Sequence, residues 1–199
     1  MRRHSEHTVQ VGEPPIARFL FADTRMAWFW LIVRLYAGYL WLTEGWDKLH
    51  SAVWTGPKAG VALTGFVTGA LTKTGGVHPD VSGWYASFLQ HVVLPHTAAW
   101  SYAVAGGEFL VGLGLILGLF TGIAAFFGGL MNATYLLAGT VSVNPTFFIL
   151  ATWLVLAWRI AGYYGLDRWV LPEVGVPGRS GRWFKRHATT ATTVRAPSH

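Results

Sequence analysis

The sequence predicts an all-α integral membrane protein, a four-helix bundle with an external interfacial helical loop between its first and second spans. Hydrophobic residues make up 52% of the 199 residues and charged residues only 12%, against roughly 25% charged residues in soluble domains. The charges also lie at the ends: of the 15 Lys and Arg, four fall within residues 1–25 and six within residues 166–199. Because cytoplasmic segments of membrane proteins carry this basic excess, the net charge does not indicate nucleic-acid binding.

Four stretches are long and apolar enough to cross a bilayer, which takes about 20 residues each. The expected spans are residues 26–48, 97–120, 121–140 and 145–165, with an external loop over 49–96. An even number of spans places both basic ends on the same, cytoplasmic, side. Pro145 suits the first turn of the fourth helix, where its missing N–H costs nothing.

These spans divide the chain into three parts. Residues 1–25 form a basic cytoplasmic segment, residues 26–172 form the membrane domain, and residues 173–199 form a disordered basic cytoplasmic tail. The protein is therefore expected in the cell membrane, as a multi-pass protein surrounded by lipid.

The external loop carries two amphipathic stripes and is expected to be helical. Apolar residues recur at helical spacing from Leu63 to Leu71 and again from Trp84 to Val93. Both stripes are too short to span a membrane and carry almost no charge. We expect them to lie in the interface as a lid over the outer end of the bundle.

Away from the outer end of the first span, the formal charges within the expected spans are Arg34, Glu108 and Arg159, with Asn132 at a similar depth. An unpaired charge there costs about 2.5–3.5 kcal/mol on insertion scales. Counting about 1.5 Å per residue from the inner ends of the spans brings Arg34 and Glu108 to similar depth, so an Arg34–Glu108 ion pair is feasible. This pair suits either a polar pocket with Glu108 as a proton-exchanging carboxylate or a structural salt bridge. Asn132 is either a ligand contact or an interhelical link. Arg159 either joins the pocket or extends to the inner surface.

The outer end of the first span carries a second group of polar residues. Glu44 and Lys48 stand four residues apart, a spacing that stabilises a helix end. With Trp46 and His50 beside them, the same groups are candidates for proton exchange where a membrane-dissolved substrate meets water. Glu108, Glu44 and His50 are the candidate proton relays. The candidate binding residues are Arg34, Lys48, Trp46, Asn132 and Arg159.

Glycines and histidines add two further expectations. Gly114, Gly118 and Gly122 repeat every four residues, a spacing that lets helices approach closely and makes a homodimer plausible. The eight histidines lie in the tails or at the outer edge of the spans, and there is no Cys. We therefore predict no metal site and no covalently bound cofactor, the alternative being a metal site at the outer interface that uses His50 and His96.

Three segments resemble the DoxX family, in particular its DoxD-like members, which include the membrane subunit of thiosulfate:quinone oxidoreductase. They are residues 34–49, residues 107–121 and residues 131–145. The resemblance implies a four-span bundle that works with a second oxidoreductase subunit and uses quinone as a membrane co-substrate. It places the family motifs on Arg34, Glu44, Lys48, Glu108, Asn132 and Asn144.

Two functions are weighed on this basis. The first is a quinone-linked oxidoreductase subunit acting on reduced sulfur compounds of the thiosulfate:quinone type, in which relays near a polar pocket supply the protons that quinone reduction needs. The alternative is a non-catalytic membrane scaffold or assembly partner for an oxidative-stress or respiratory complex. A lipid or small-molecule carrier is a third possibility, although the sequence shows no internal repeat of the transporter type.

Overall fold

The computed structural model describes residues 12–175, and all the regular structure in this range is helical, as predicted. The helices are α1 (Pro15–Ala22), α2 (Ala27–Leu49), α3 (Val61–Leu71), α4 (Gly83–Phe88), α5 (Thr97–Leu117), α6 (Thr121–Leu137), α7 (Asn144–Leu156), α8 (Trp158–Ala161) and α9 (Asp167–Val170). Most of the expected basic tail, from residue 176 onward, lies outside the described residues.

The turn between α5 and α6 is set by Gly118. This residue has a φ of 62°, in the left-handed region that glycine adopts without a steric penalty. A left-handed residue directly after the last helical one is a common way to end a helix. The helix α5, which corresponds to the second expected span, therefore ends at Leu117, three residues before the expected end at Phe120. The helix α6 begins at Thr121, as expected.

Residues 50–96, here called the lid, contain the two predicted helical stripes. The first stripe is α3. The second is α4, which continues through a π-helical turn (Leu89–Val93) and a 3₁₀ turn (Leu94–His96) into α5. The lid has its own buried apolar cluster, made by Leu63, Val67, Ala70, Val81, Tyr85, Leu89 and Val93 with Ala138 of the bundle.

Two polar contacts attach the lid to the end of α6. The Lys73 ammonium donates to the Gly139 carbonyl at 2.7 Å, and the Tyr85 hydroxyl donates to the Thr134 carbonyl at 2.9 Å. The Gly139 carbonyl lies beyond the end of α6 and needs an external donor, while the Thr134 carbonyl accepts from Tyr85 in addition to the Ala138 N–H. The lid is therefore fixed to the bundle through both packing and hydrogen bonds.

Glycines set the register between α2 and α5, the most closely packed pair of long helices. A Cβ added to Gly112 would lie 2.3 Å from the Leu42 nitrogen, and one added to Gly45 would lie 2.3 Å from the Phe109 nitrogen. Only glycine permits backbones to approach this closely. The α5–α6 repeat is used differently: Gly114 faces Ala124, Gly118 faces Arg34, and Gly122 faces Trp158.

The surface of the bundle is largely apolar. Large hydrophobic side chains are exposed along α2, α5, α6 and α7; examples are Ile32, Leu110, Phe127 and Trp153. By length and composition, one helical stretch among the described residues is a candidate membrane span: Gly83–Leu117, which has 35 residues and contains an 18-residue window with a mean hydropathy of 1.5. The helix α2 has four charged side chains, while α6 and α7 are apolar but only 17 and 13 residues long.

Candidate functional site

A pocket of about 290 Å³, here called the polar pocket, lies under α3 of the lid, between the lid-side halves of α2, α5, α6 and α7. Its wall is mostly apolar, with a small group of polar side chains on one side. The polar side chains that line it are Glu44, Lys48, Glu108, Asn132, Tyr135, Thr140 and Asn144. A mainly apolar cavity with a few converging polar groups is the usual form of a small-molecule site.

Lys48 is the centre of the polar group. Its ammonium lies 2.7 Å from Glu108 Oε2 and 2.9 Å from Glu44 Oε2. The Tyr135 hydroxyl donates to the other oxygen of Glu108, at 2.7 Å. The side chain of Glu44 is 69% exposed and that of Glu108 only 3%. These four groups thus form a hydrogen-bonded row that leads from the protein surface into the buried pocket.

Asn132 is the one polar side chain of this wall that is both fully buried and short of a partner. The residue is 1% exposed and its amide nitrogen Nδ2 has no hydrogen-bond partner among the described residues. A buried amide N–H without an acceptor costs about 1–3 kcal/mol. Asn132 also lines the pocket, so its amide is the polar group of this wall closest to needing an acceptor.

The structure brings together five of the residues named from the sequence: the candidate site residues Glu44, Lys48, Glu108 and Asn132, and the motif residue Asn144. Trp46 and His50 lie outside the polar pocket at the end of α2, where their rings contact each other with centroids 4.1 Å apart. Arg159 lies on α8 and pairs with Glu13 at 2.5 Å on the surface, which agrees with the surface alternative.

The predicted Arg34–Glu108 ion pair is wrong. Arg34 is 1% exposed, but its guanidinium donates to the backbone carbonyls of Leu115 and Ile116, at 2.6 and 3.2 Å. It therefore caps the last turn of α5, where the carbonyls lack helical partners. Glu108 takes Lys48 as its cation instead. Arg34 does not line the polar pocket, and the role of binding residue predicted for it has no support in this geometry.

The physical reason is the relative position of the two helices. Arg34 and Glu108 would lie at similar depth only if the inner ends of the first two expected spans were at the same height. In the structure α2 begins seven residues, roughly 10 Å, before Arg34, yet Arg34 already lies beside the end of α5. The helix α2 thus extends well past the end of α5, and the cation that contacts Glu108 is Lys48, on the last turn of α2.

Tyr135 and Asp167 were missed by sequence reasoning. Tyr135 follows Asn132 by three residues on α6, so the i, i+3 spacing of a helix face was the available signal. Asp167 accepts hydrogen bonds from the backbone nitrogens of Phe120 and Thr121, at 2.6 and 2.9 Å. It caps the start of α6 from 46 residues away in sequence, and no local pattern shows that.

The fold and the pocket define a class: a helical protein with an apolar outer surface and a buried acid–lysine pair between its long helices. The sequence profile described as DoxX matches residues 29–158, about two thirds of the chain. The chain belongs to the DoxX family, a family of membrane-associated proteins. No curated protein and no solved structure matches it.

Proposed function

We propose that the chain crosses the membrane four times, through α2, the helical stretch ending at Leu117, α6, and α7 with α8, with both ends in the cytoplasm. Only 33% of the apolar window in Gly83–Leu117 is buried inside the protein. The core helix of a soluble protein is mostly buried, so the exposed apolar face here favours lipid as its surroundings. The 17 residues of α6 extend roughly 26 Å, close to the ~30 Å of the hydrocarbon core.

Cysteine labelling tests this topology, because the chain has no native Cys. Single Cys residues would be placed at His78 in the lid and at Thr24 and Trp169 near the two ends, all of them exposed. A membrane-impermeant maleimide added to intact cells should label only His78→Cys. Labelling of Thr24→Cys or Trp169→Cys from outside would contradict the proposed arrangement.

Within this membrane domain we propose a quinone-linked oxidoreductase subunit of the DoxD-like, thiosulfate:quinone type. The observation that supports it is the row from Glu44 through Lys48 and Glu108 to Tyr135, next to the free amide of Asn132. Reduction of a quinone to a quinol takes up two electrons and two protons. A hydrogen-bonded row from the surface to a buried pocket is suited to supply the protons.

The electrons would come from a reduced sulfur compound at the outer face, through a second subunit. Two thiosulfate ions form one S–S bond and become tetrathionate, releasing the two electrons that the quinone accepts. Lys48 lies between two carboxylates, so the pocket has a formal excess of negative charge and does not favour an anionic donor. We therefore assign the donor site to the partner subunit, although Lys48 was among the candidate binding residues named from the sequence.

The test is quinone reduction by the purified protein in lipid nanodiscs, driven by thiosulfate or sulfide, with and without proteins encoded beside it. Glu108→Gln and Tyr135→Phe should each lower the rate at least tenfold. Asp47→Asn is the matched control, because Asp47 is an exposed carboxylate on the same end of α2 and does not line the pocket. Absence of both quinone reduction and quinone binding in every combination would reject this function.

One observation favours the scaffold alternative: Arg34 and Asp167, both buried, cap helix ends and serve the architecture. A scaffold would need the polar pocket only for stability. In that case Glu108→Gln would lower the unfolding midpoint and leave the activity of the assembled complex unchanged, whereas a catalytic role predicts the loss of activity at full assembly.

A further inference from the structure

A second concavity, here called the apolar groove, adjoins the polar pocket. It has a volume of about 850 Å³ and runs between α5 and α6 beneath the lid. Leu63, Phe66, Val104 and Tyr135 line both the groove and the pocket. The two spaces therefore adjoin across these side chains, and polar groups line one while the other is almost wholly apolar.

The groove extends along most of the depth of the protein. Its lining on α5 runs from Trp100 to Leu117, roughly 26 Å, and reaches the α5–α6 turn at Phe120. This length is close to the ~30 Å thickness of a hydrocarbon core. At its other end the groove passes beneath Tyr85 and Phe88 of the lid.

Small residues on one face of α5 leave this space open. The groove is lined by Ala103, Gly107 and Gly114, which are separated by four and seven residues and therefore share one face of the helix. The helix α5 packs chiefly on α2 and α6 chiefly on α7, so α5 and α6 contact each other over a smaller part of their length. A Cβ added to Gly107 would meet only the flexible end of Met131, at 3.5 Å.

The polar end favours one kind of head group. The Asn132 Nδ2 amide needs an acceptor, and the Lys48 ammonium is already shared by two carboxylates. A neutral group that carries a carbonyl oxygen satisfies the amide, whereas an anionic group adds repulsion from Glu44 and Glu108. The two ends together describe an amphiphile with a neutral, hydrogen-bond-accepting head and one long apolar tail.

We propose that the apolar groove holds the tail of a neutral, carbonyl-bearing membrane amphiphile whose head accepts a hydrogen bond from Asn132 in the polar pocket. The head reaches its place from the bilayer, along the groove between α5 and α6 and beneath the lid. The identification of this amphiphile as a quinone rests on the proposed function. The proposal that the groove binds an apolar tail does not depend on that identification.

A matched pair of variants tests the tail site. Gly107→Leu puts a side chain into the groove, and its Cβ comes into ordinary contact with the flexible end of Met131. Gly106→Leu puts the same side chain on the neighbouring residue, which has nothing within 4 Å and lines neither space. Two probes share one head, 2,3-dimethoxy-5-methyl-1,4-benzoquinone: one without a tail and one with a ten-carbon tail. Binding is followed by quenching of Trp fluorescence in nanodiscs.

Gly107→Leu should weaken binding of the tailed quinone at least tenfold and change binding of the tail-less quinone less than twofold. Gly106→Leu should change binding of neither probe, because residue 106 lines neither the groove nor the pocket and both variants are measured in the same nanodiscs. Asn132→Leu should weaken both probes, because both heads need its amide. Equal effects of Gly107→Leu on the two probes, or no effect on either, would overturn the tail site.

A third probe separates this proposal from the quinone function. If the wild-type protein binds neither quinone, the quinone function fails, and a monoacylglycerol with a diazirine in its chain then tests the groove alone. It should label α5 and α6 peptides much more than the α7 peptide that carries the exposed Ile149 and Trp153, and Gly107→Leu should reduce that labelling. Equal labelling of both faces would mean ordinary bilayer contact and would overturn the groove.

Discussion

Replacing Lys48 with Met is expected to destabilise the protein strongly, because it leaves a buried carboxylate without its cation. Glu108 is 3% exposed, and its two oxygens contact only the Lys48 ammonium and the Tyr135 hydroxyl among the interactions described above. Removing one partner of a buried ion pair costs about 3–5 kcal/mol, far more than the pair contributes as a whole. Most of this cost should come from the buried Glu108 carboxylate, because the exposed Glu44 carboxylate can be solvated by water.

The matched substitutions remove the charges one at a time. Glu108→Gln should cost about 1–3 kcal/mol, because Lys48 keeps Glu44 at 2.9 Å and the new amide oxygen can still accept from Tyr135. Glu44→Gln should cost no more than about 1 kcal/mol, as expected of an exposed pair. The double variant Lys48→Met/Glu108→Gln should recover part of the loss, with a coupling energy of about 0.5–3 kcal/mol.

The measurement is the free energy of unfolding in mixed micelles, titrated with SDS and followed by Trp fluorescence. A second cycle with Arg34→Gln and Glu108→Gln should be additive within about 0.5 kcal/mol, because Arg34 contacts helix-end carbonyls instead of the acid. If Lys48→Met costs no more than Glu44→Gln, or if Arg34 and Glu108 prove coupled, the pairing described here is incorrect.

Three further predictions concern the scaffold around the site. Gly112→Ala should destabilise the fold by about 1–3 kcal/mol in the same SDS titration, because the new Cβ meets backbone at 2.3 Å and forces the helices apart. Asp167→Ala should cost about 1–2 kcal/mol and speed amide exchange at the start of α6, since two N–H groups lose their acceptor. Arg25→Gln should raise the pKa of Asp23 from about 2 toward its ordinary value of 3.8, measured by carboxyl NMR, because hydrogen bonds from Arg25 favour the carboxylate. The Asp23 carboxylate thus stabilises the folded state above pH 4, and this contribution is lost as the pH falls toward 2.

Each of these predictions has a control and a contrary result. Gly106→Ala is the control for Gly112→Ala, because it meets nothing within 4 Å and should gain up to about 1 kcal/mol from helix propensity; equal stability of the two alanine variants would contradict the close packing. Unchanged amide exchange in Asp167→Ala would show that it is not the cap. A pKa of Asp23 that stays low in Arg25→Gln would show another cause.

Local patterns predicted the helices well because helix periodicity and end signals are properties of neighbouring residues. The lid helices, the starts of α5 and α6, and the apolar surface follow from spacing, glycine and hydropathy alone. Glu44, Lys48, Glu108 and Asn132 were found in the same way, since a polar side chain within an apolar stretch needs a partner or a cavity.

The partner of Glu108 was beyond this reasoning. It depends on how far α2 slides along α5, and that register is set by close packing at Gly45 and Gly112. A shift of two or three turns exchanges Lys48 for Arg34 opposite the acid without changing any local pattern. The hydrophobicity of both helices is compatible with either register, so depth counted from the expected span ends gave the wrong pair.

The amino-acid sequence by itself determined a helical, membrane-type chain and the identity of the polar residues that such a chain must accommodate, because composition and periodicity act over a few residues. Tertiary structure alone decided which of those residues meet: Lys48, Glu108, Tyr135 and Asn132 at one pocket, with Arg34 at a helix end. Contacts between helices depend on the close approach of backbones that are far apart in sequence. A glycine allows that approach, but its position in the sequence does not indicate which helix it will contact.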